Sequence, residues 1–122
     1  VEAEQLGTGP VEDLESAAEA AVALRESCPS VIVTAGGAGV AEAGPAGVVA
    51  LRPHPVERAQ THGAGDVFTG ALAARLAGGE PLSVALRYAN AAAALHVGTA
   101  EGERDALGPA EVEALLAAAG GP

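Results

Sequence analysis

Leu14, Ala17, Ala18, Ala21 and Leu24 repeat at a spacing that puts them on one face of a helix. Pro10 suits the first helical position, with Glu12, Asp13 and Glu15 in the first turn, and Pro29 stops the run. The β-branched burst Val31-Ile32-Val33-Thr34 does not alternate with polar residues and reads as a buried strand. Val40 to Ala43 and Val48 to Leu51 read as two further strands, joined in a hairpin through Gly44-Pro45-Ala46-Gly47. Pro53 and Pro55 mark an edge or connector before Val56 to Thr61. Three helical stretches follow: Asp66 to Ala77, Leu82 to Val97, and Pro109 to Ala119, the first two separated by Gly78-Gly79. Strands leading into helices, with an apolar first strand, predict an α/β layered fold.

Composition limits this picture. A chain of 122 residues allows one small domain or a piece of a larger one. It has one Phe, one Tyr and no Trp, so its core rests on Ala, Val and Leu and is thin for its length. It contains no Met and opens on Val1-Glu2-Ala3-Glu4, which reads as a fragment of a longer polypeptide. The formal charge is -10 and every basic residue is Arg, a poor electrostatic match for nucleic acid or an anionic membrane. The lack of Lys also removes the Walker A loop and the protein-kinase scheme, both of which place a Lys on phosphates. Cys28 is alone, so no internal disulfide forms and a reducing compartment is expected. There is no signal-peptide pattern, and the longest low-charge apolar run, Tyr88 to Val97, is too short to span a bilayer. A cytoplasmic location is the expectation.

The candidate chemistry centres on Gly63-Ala64-Gly65-Asp66, which precedes a helical stretch. The first amides of a helix have no intrahelical acceptor and lie at the positive end of its dipole. Small residues let a phosphate approach those amides, and a carboxylate beside it can take the proton of an attacking hydroxyl. An Asp that only caps a helix after a glycine turn accounts for the same letters. Upstream, Val31 to Gly44 resembles the start of a dinucleotide-binding turn, but Glu42 stands at the third glycine position and Gly44-Pro45 cuts off the required helix. The same segment also reads as Thr34-x-Gly36-x-x-Gly39, a strand end with bare backbone that a nucleotide could approach; a glycine-rich turn into a hairpin explains it equally well. His54, His62 and His96 lack metal-ligand spacing and read as surface or packing residues. Cys28 reads as a small buried residue, and Glu12, Glu15, Glu19 and Glu26 as a solvated helix face.

Taken in order, these segments resemble the ribokinase-like, or PfkB, carbohydrate kinases. Glu2-Ala3-Glu4-Gln5-Leu6 with Gly9 is similar to the end of the family's Asn-x-x-Glu segment, and Thr34, Gly36 and Gly39 match its nucleotide-side glycines. Gly63-Ala64-Gly65-Asp66-x-Phe68 with Gly70-Ala71-Leu72 matches its second signature, and Tyr88 to Ala94 resembles the helix beside the adenine. The resemblance implies the C-terminal part of a three-layer α/β/α domain across residues 1–122, with the N-terminal substrate and lid portion absent. It implies Asp66 as catalytic base, Gly63, Ala64 and Gly65 as an anion hole, Thr34, Gly36 and Gly39 along ATP, Asn90 beside the adenine, and Glu2 organising Mg2+ through water. The implied reaction is ATP-dependent phosphorylation of a sugar or sugar-like alcohol. A non-catalytic nucleotide-binding fragment and a vitamin or pyrimidine kinase of the same fold stand as alternatives. The signature's leading Asp is replaced by Gln60 and the residue before Gly63 is His62, so a monovalent-cation site does not carry over with the match. Relatives often dimerise through the lid, which leaves a homo-oligomer open.

Overall fold

A computed structural model describes residues 2–56, 63–99 and 101–118. The chain divides into two units, Val1–Pro53 and His54–Pro122.

The first unit contains helices α1 (Glu2–Gln5) and α2 (Leu14–Leu24), then strands β1 (Val31–Thr34), β2 (Val40–Gly44) and β3 (Gly47–Leu51). The strands form one antiparallel sheet in the order β1-β2-β3. Register places Val31 opposite Ala43 and Val33 opposite Ala41, so these four side chains share a face. Ala17, Ala20 and Ala21 of α2 and Ala3 of α1 cluster with them in the core. Ala17, Ala21 and Ala41 are completely buried, so small side chains bring helix and sheet backbones close together.

The hairpin follows the sequence pattern, whereas the start of α2 does not. Pro10 lies outside the helix, which begins at Leu14 with Asp13 as its N-cap. The Asp13 carboxylate accepts from the Ser16 amide at 2.8 Å, and the Ser16 hydroxyl accepts from the Asp13 amide at 3.0 Å. This reciprocal box satisfies two amides that Pro10 leaves unserved, and it sets the helix start. The expectation of a fully buried first strand also needs correction: Val33 is buried, Val31 and Ile32 are half-buried and Thr34 is exposed. Among the described residues β1 is an edge strand, covered on fewer sides than its apolar run suggests. Cys28 is exposed rather than buried, because it lies in the connection between α2 and β1. Glu12, Glu15, Glu19 and Glu26 are solvent-exposed as expected.

The second unit contains α3 (Ala64–Ala77), α4 (Leu82–Gly98) and α5 (Pro109–Ala118), with a short 3-10 segment at Glu101–Ala106. Gly78-Gly79 ends α3 as the spacing predicts. The Glu80 amide bonds to the Arg75 carbonyl at 3.2 Å and the Gly79 amide to the Leu76 carbonyl at 3.0 Å, a Schellman closure. Tyr88, Ala91 and Ala92 of α4 and Val112 of α5 form a core cluster, with Val67 and Ala71 of α3 packed against it. Helix α4 buries Ala85, Leu86, Tyr88, Ala89, Ala91, Ala92 and Ala94, residues distributed around most of its circumference. Among the described residues no helix is long and apolar enough to cross a membrane.

Candidate functional site

In the second unit, Gly63 is the N-cap of α3 and holds φ 84°, ψ -2°, a left-handed conformation that a glycine adopts without steric cost. The first intrahelical bond runs from the Val67 amide to the Gly63 carbonyl at 3.0 Å. The amides of Ala64, Gly65 and Asp66 therefore come before the internal ladder and lie at the helix's positive end. The helix begins two residues earlier than the sequence pattern suggested. Ala64 and Gly65 are thus its first two residues, and Asp66 is the third.

That placement separates the two readings of Asp66. The capping position belongs to Gly63, and no side chain caps the helix there. Asp66 is exposed, and among the described residues its carboxylate meets no donor. Gly65 is exposed with nothing within 4 Å of where a Cβ would stand, so the approach to the first-turn amides is open. Asn90 lies half-buried on α4, a helix packed against α3. Thr61, His62 and Gln60 of the signature lie outside the described residues.

His96 was not singled out for this turn by the sequence, but the structure brings it there. Its Nε2 stands 3.2 Å and its Cε1 3.6 Å from the position of a Cβ on Gly63. No residue spacing indicates this contact, since 33 positions separate the two residues (96 minus 63). A surface or packing role for His96 was expected; its partner at Gly63 was not. A cavity of about 710 Å3 runs between α3, α4 and α5, with His96 and Val67 among its lining residues. Farther along its wall, the Arg75 guanidinium lies over the Tyr88 ring at 3.6 Å from the centroid. Tyr88 first, and then Glu80 and Glu113, favour the charged form of Arg75. Glu80 approaches Arg75 at 3.6 Å and Glu113 at 3.9 Å, distances long for hydrogen bonds.

In the first unit, Thr34 ends β1 and pairs with Val40 across a 3-10 turn at Gly36–Ala38. The Ala35 amide bonds to the Gly39 carbonyl at 2.8 Å, closing the turn. The glycines have different surroundings. Nothing lies within 4 Å of a Cβ position on Gly36, but a Cβ on Gly39 would collide with the Leu51 carbonyl oxygen. Thus Gly36 presents open backbone, while Gly39 permits β2 and the end of β3 to approach each other. Glu2 is exposed at the start of α1. Its neighbour Glu4 is engaged structurally, accepting from the Val11 amide at 2.8 Å. Among the described residues no group of three or more His, Cys, Asp or Glu is arranged to hold a metal.

Comparison with known proteins gives this geometry a context. Residues 2–106 match the family model described as pfkB family carbohydrate kinase. Over 67 residues the chain is 42% identical to the ribokinase of Bacillus subtilis, covering 55% of this chain and 23% of that protein. It superposes on the crystal structure of ribokinase from Thermotoga maritima with a TM-score of 0.71 and 32% identity, covering 82% of this chain and 34% of the other. A candidate ribokinase II of Escherichia coli, solved with ATP and Mg2+, matches with a TM-score of 0.70 and 31% identity over 82% of this chain and 33% of that one. The chain therefore spans a quarter to a third of the length of these relatives, and its α/β architecture corresponds to part of the ribokinase fold.

Proposed function

The chain belongs to the pfkB family of carbohydrate kinases, and from that premise we propose that it supplies the nucleotide site, anion hole and proton acceptor for ATP-dependent phosphorylation of a sugar or sugar-like alcohol. It forms the C-terminal, nucleotide-binding and catalytic-base portion of a larger kinase domain. The observation that carries the reading is the start of α3, where uncommitted amides, a left-handed glycine and an exposed carboxylate occupy four consecutive positions.

The Ala64 and Gly65 amides, with Gly63 leaving room beside them, hold the oxygens of the phosphoryl group as it transfers. They are fixed in direction by the helix, so they need no reorganisation as charge develops. Asp66 orients the acceptor hydroxyl and takes its proton as the oxygen bonds to phosphorus. The open backbone at Gly36, beside the exposed Thr34 hydroxyl, lies along the nucleotide, and Asn90 stands beside the adenine. Gly39 preserves the shape of that turn. Mg2+ held mostly by water and nucleotide phosphates needs few protein carboxylates, and Glu2, exposed at the start of α1, would be one of them. Bound there, the ion would neutralise phosphate charge.

Asp66→Asn in the active polypeptide carrying this segment tests the reading. Turnover falls by about 10²–10⁴-fold, the usual share of a positioned general base, while the dissociation constant for ATP changes little. Turnover within about threefold of the parent removes Asp66 from the role of base.

A further inference from the structure

We infer that His96 is a positioning residue for the anion cradle, and that the charge on its imidazole sets how tightly the cradle holds a phosphoryl-like anion. The inference rests on the cradle reading proposed above. Its first support is contact: the His96 ring lies against the bare α-carbon of Gly63, with Nε2 3.2 Å from the Cβ position. Gly63 accepts the first bond of α3, from the Val67 amide at 3.0 Å. A displacement of Gly63 therefore changes the direction of the amides that follow it.

The second support is that His96 is itself held in place. It lies half-buried near the end of α4, and its carbonyl accepts from the Thr99 amide at 3.4 Å and from Arg104 Nε at 3.1 Å. Arg104 Nε also reaches the Thr99 carbonyl at 3.2 Å, fastening the helix end. The imidazole is thus presented to Gly63 from an anchored backbone. Charge on this ring adds to the positive end of α3 at short range, where an anion would feel both.

The surrounding charges are mixed. Asp66 lies in the first turn of α3, and Arg104 belongs to the 3-10 segment. Arg75 and Glu80 line the same cavity as His96. On α5, Glu113 faces Arg75 at 3.9 Å and Glu111 accepts from the Gly108 amide at 2.8 Å. An anion seated in the cradle favours the charged ring and binds more tightly below the histidine's titration range.

Sulfate is the suitable probe because it remains a dianion while histidine titrates. Titrated into the 122-residue chain and followed by the amide resonances of Gly63 to Asp66, sulfate binds at least about threefold more tightly at pH ~5.5 than at pH ~8. His96→Gln removes that pH dependence. In the unmodified chain, saturating sulfate moves the His96 ring-proton titration to higher pH, a readout that depends on no variant's folding. Equal pH dependence in both chains, or an unmoved His96 titration while the cradle amides shift, overturns the role of His96 and leaves the cradle reading standing. Cradle amides that ignore sulfate at both pH values overturn the two together.

Discussion

Gly39→Ala tests whether this signature glycine is present for steric reasons. Gly39 adopts φ 121°, ψ -152°, a region open almost exclusively to glycine, and forcing another residue there costs about 1–3 kcal/mol. The added methyl would also strike the Leu51 carbonyl oxygen and stand 3.2 Å from the Leu51 carbonyl carbon and 3.3 Å from the Arg52 α-carbon. All three are backbone atoms, so no side-chain rotation relieves the contact. Relief requires the end of β3 to move away from β2, where Val40 pairs with Leu51. Each ladder bond lost adds about 1 kcal/mol. The combined cost is about 2–5 kcal/mol, a large share of the 5–15 kcal/mol typical of a domain. Gly36→Ala supplies the internal control: Gly36 also has a positive φ, at 53°, but nothing surrounds its Cβ position. Its cost is the left-handed conformation alone, about 1–2 kcal/mol. Urea denaturation followed by far-ultraviolet circular dichroism separates the two. Equal destabilisation, or a Gly39→Ala cost below about 1 kcal/mol, refutes the steric argument.

Two further outcomes follow from packing and capping. Leu86 is 1% exposed, so Leu86→Ala costs about 2–5 kcal/mol, read as a lower urea midpoint; a loss under about 1 kcal/mol means that the site is not packed as described. The Ser16 amide and then its hydroxyl hold the Asp13 carboxyl below its ordinary value of 3.8, so its contribution is present above that pH and lost as pH falls through the lowered value. Asp13→Asn keeps a capping acceptor but cannot titrate, so the stability gap between parent and variant closes towards pH ~3; a gap constant with pH contradicts the assignment.

The elements were legible where local chemistry decides them. The Gly44-to-Gly47 hairpin, the break at Gly78-Gly79 and the three later helices follow directly from periodicity and turn residues. The start of α2 was misread because proline at a first turn and an Asp–Ser capping box are both valid start signals, and the box gives two hydrogen bonds to Pro10's none. Cys28 was misread because residue type predicts average burial, whereas burial here depends on a connection between elements. The glycine turn that opens α3 was legible because its four residues are consecutive. His96 at Gly63 was not, since that contact depends on how α3 and α4 pack.

The glycines of the two motifs carry a single letter but serve distinct physical needs. Gly39 is required by a backbone neighbour, so its loss should act first on stability. Gly63 combines a left-handed φ with a side-chain neighbour, the His96 ring. A substitution there carries the cost of the left-handed conformation, about 1–2 kcal/mol, and presses on the His96 ring. Gly65 has open space on its solvent side, so the methyl of an alanine would compete with an incoming anion while disturbing no protein contact. If the proposed cradle holds, the three positions predict three phenotypes: unfolding at Gly39, a strained helix start with weakened anion positioning at Gly63, and blocked access at Gly65. A motif read as letters cannot rank these effects, and the distances in the folded chain can.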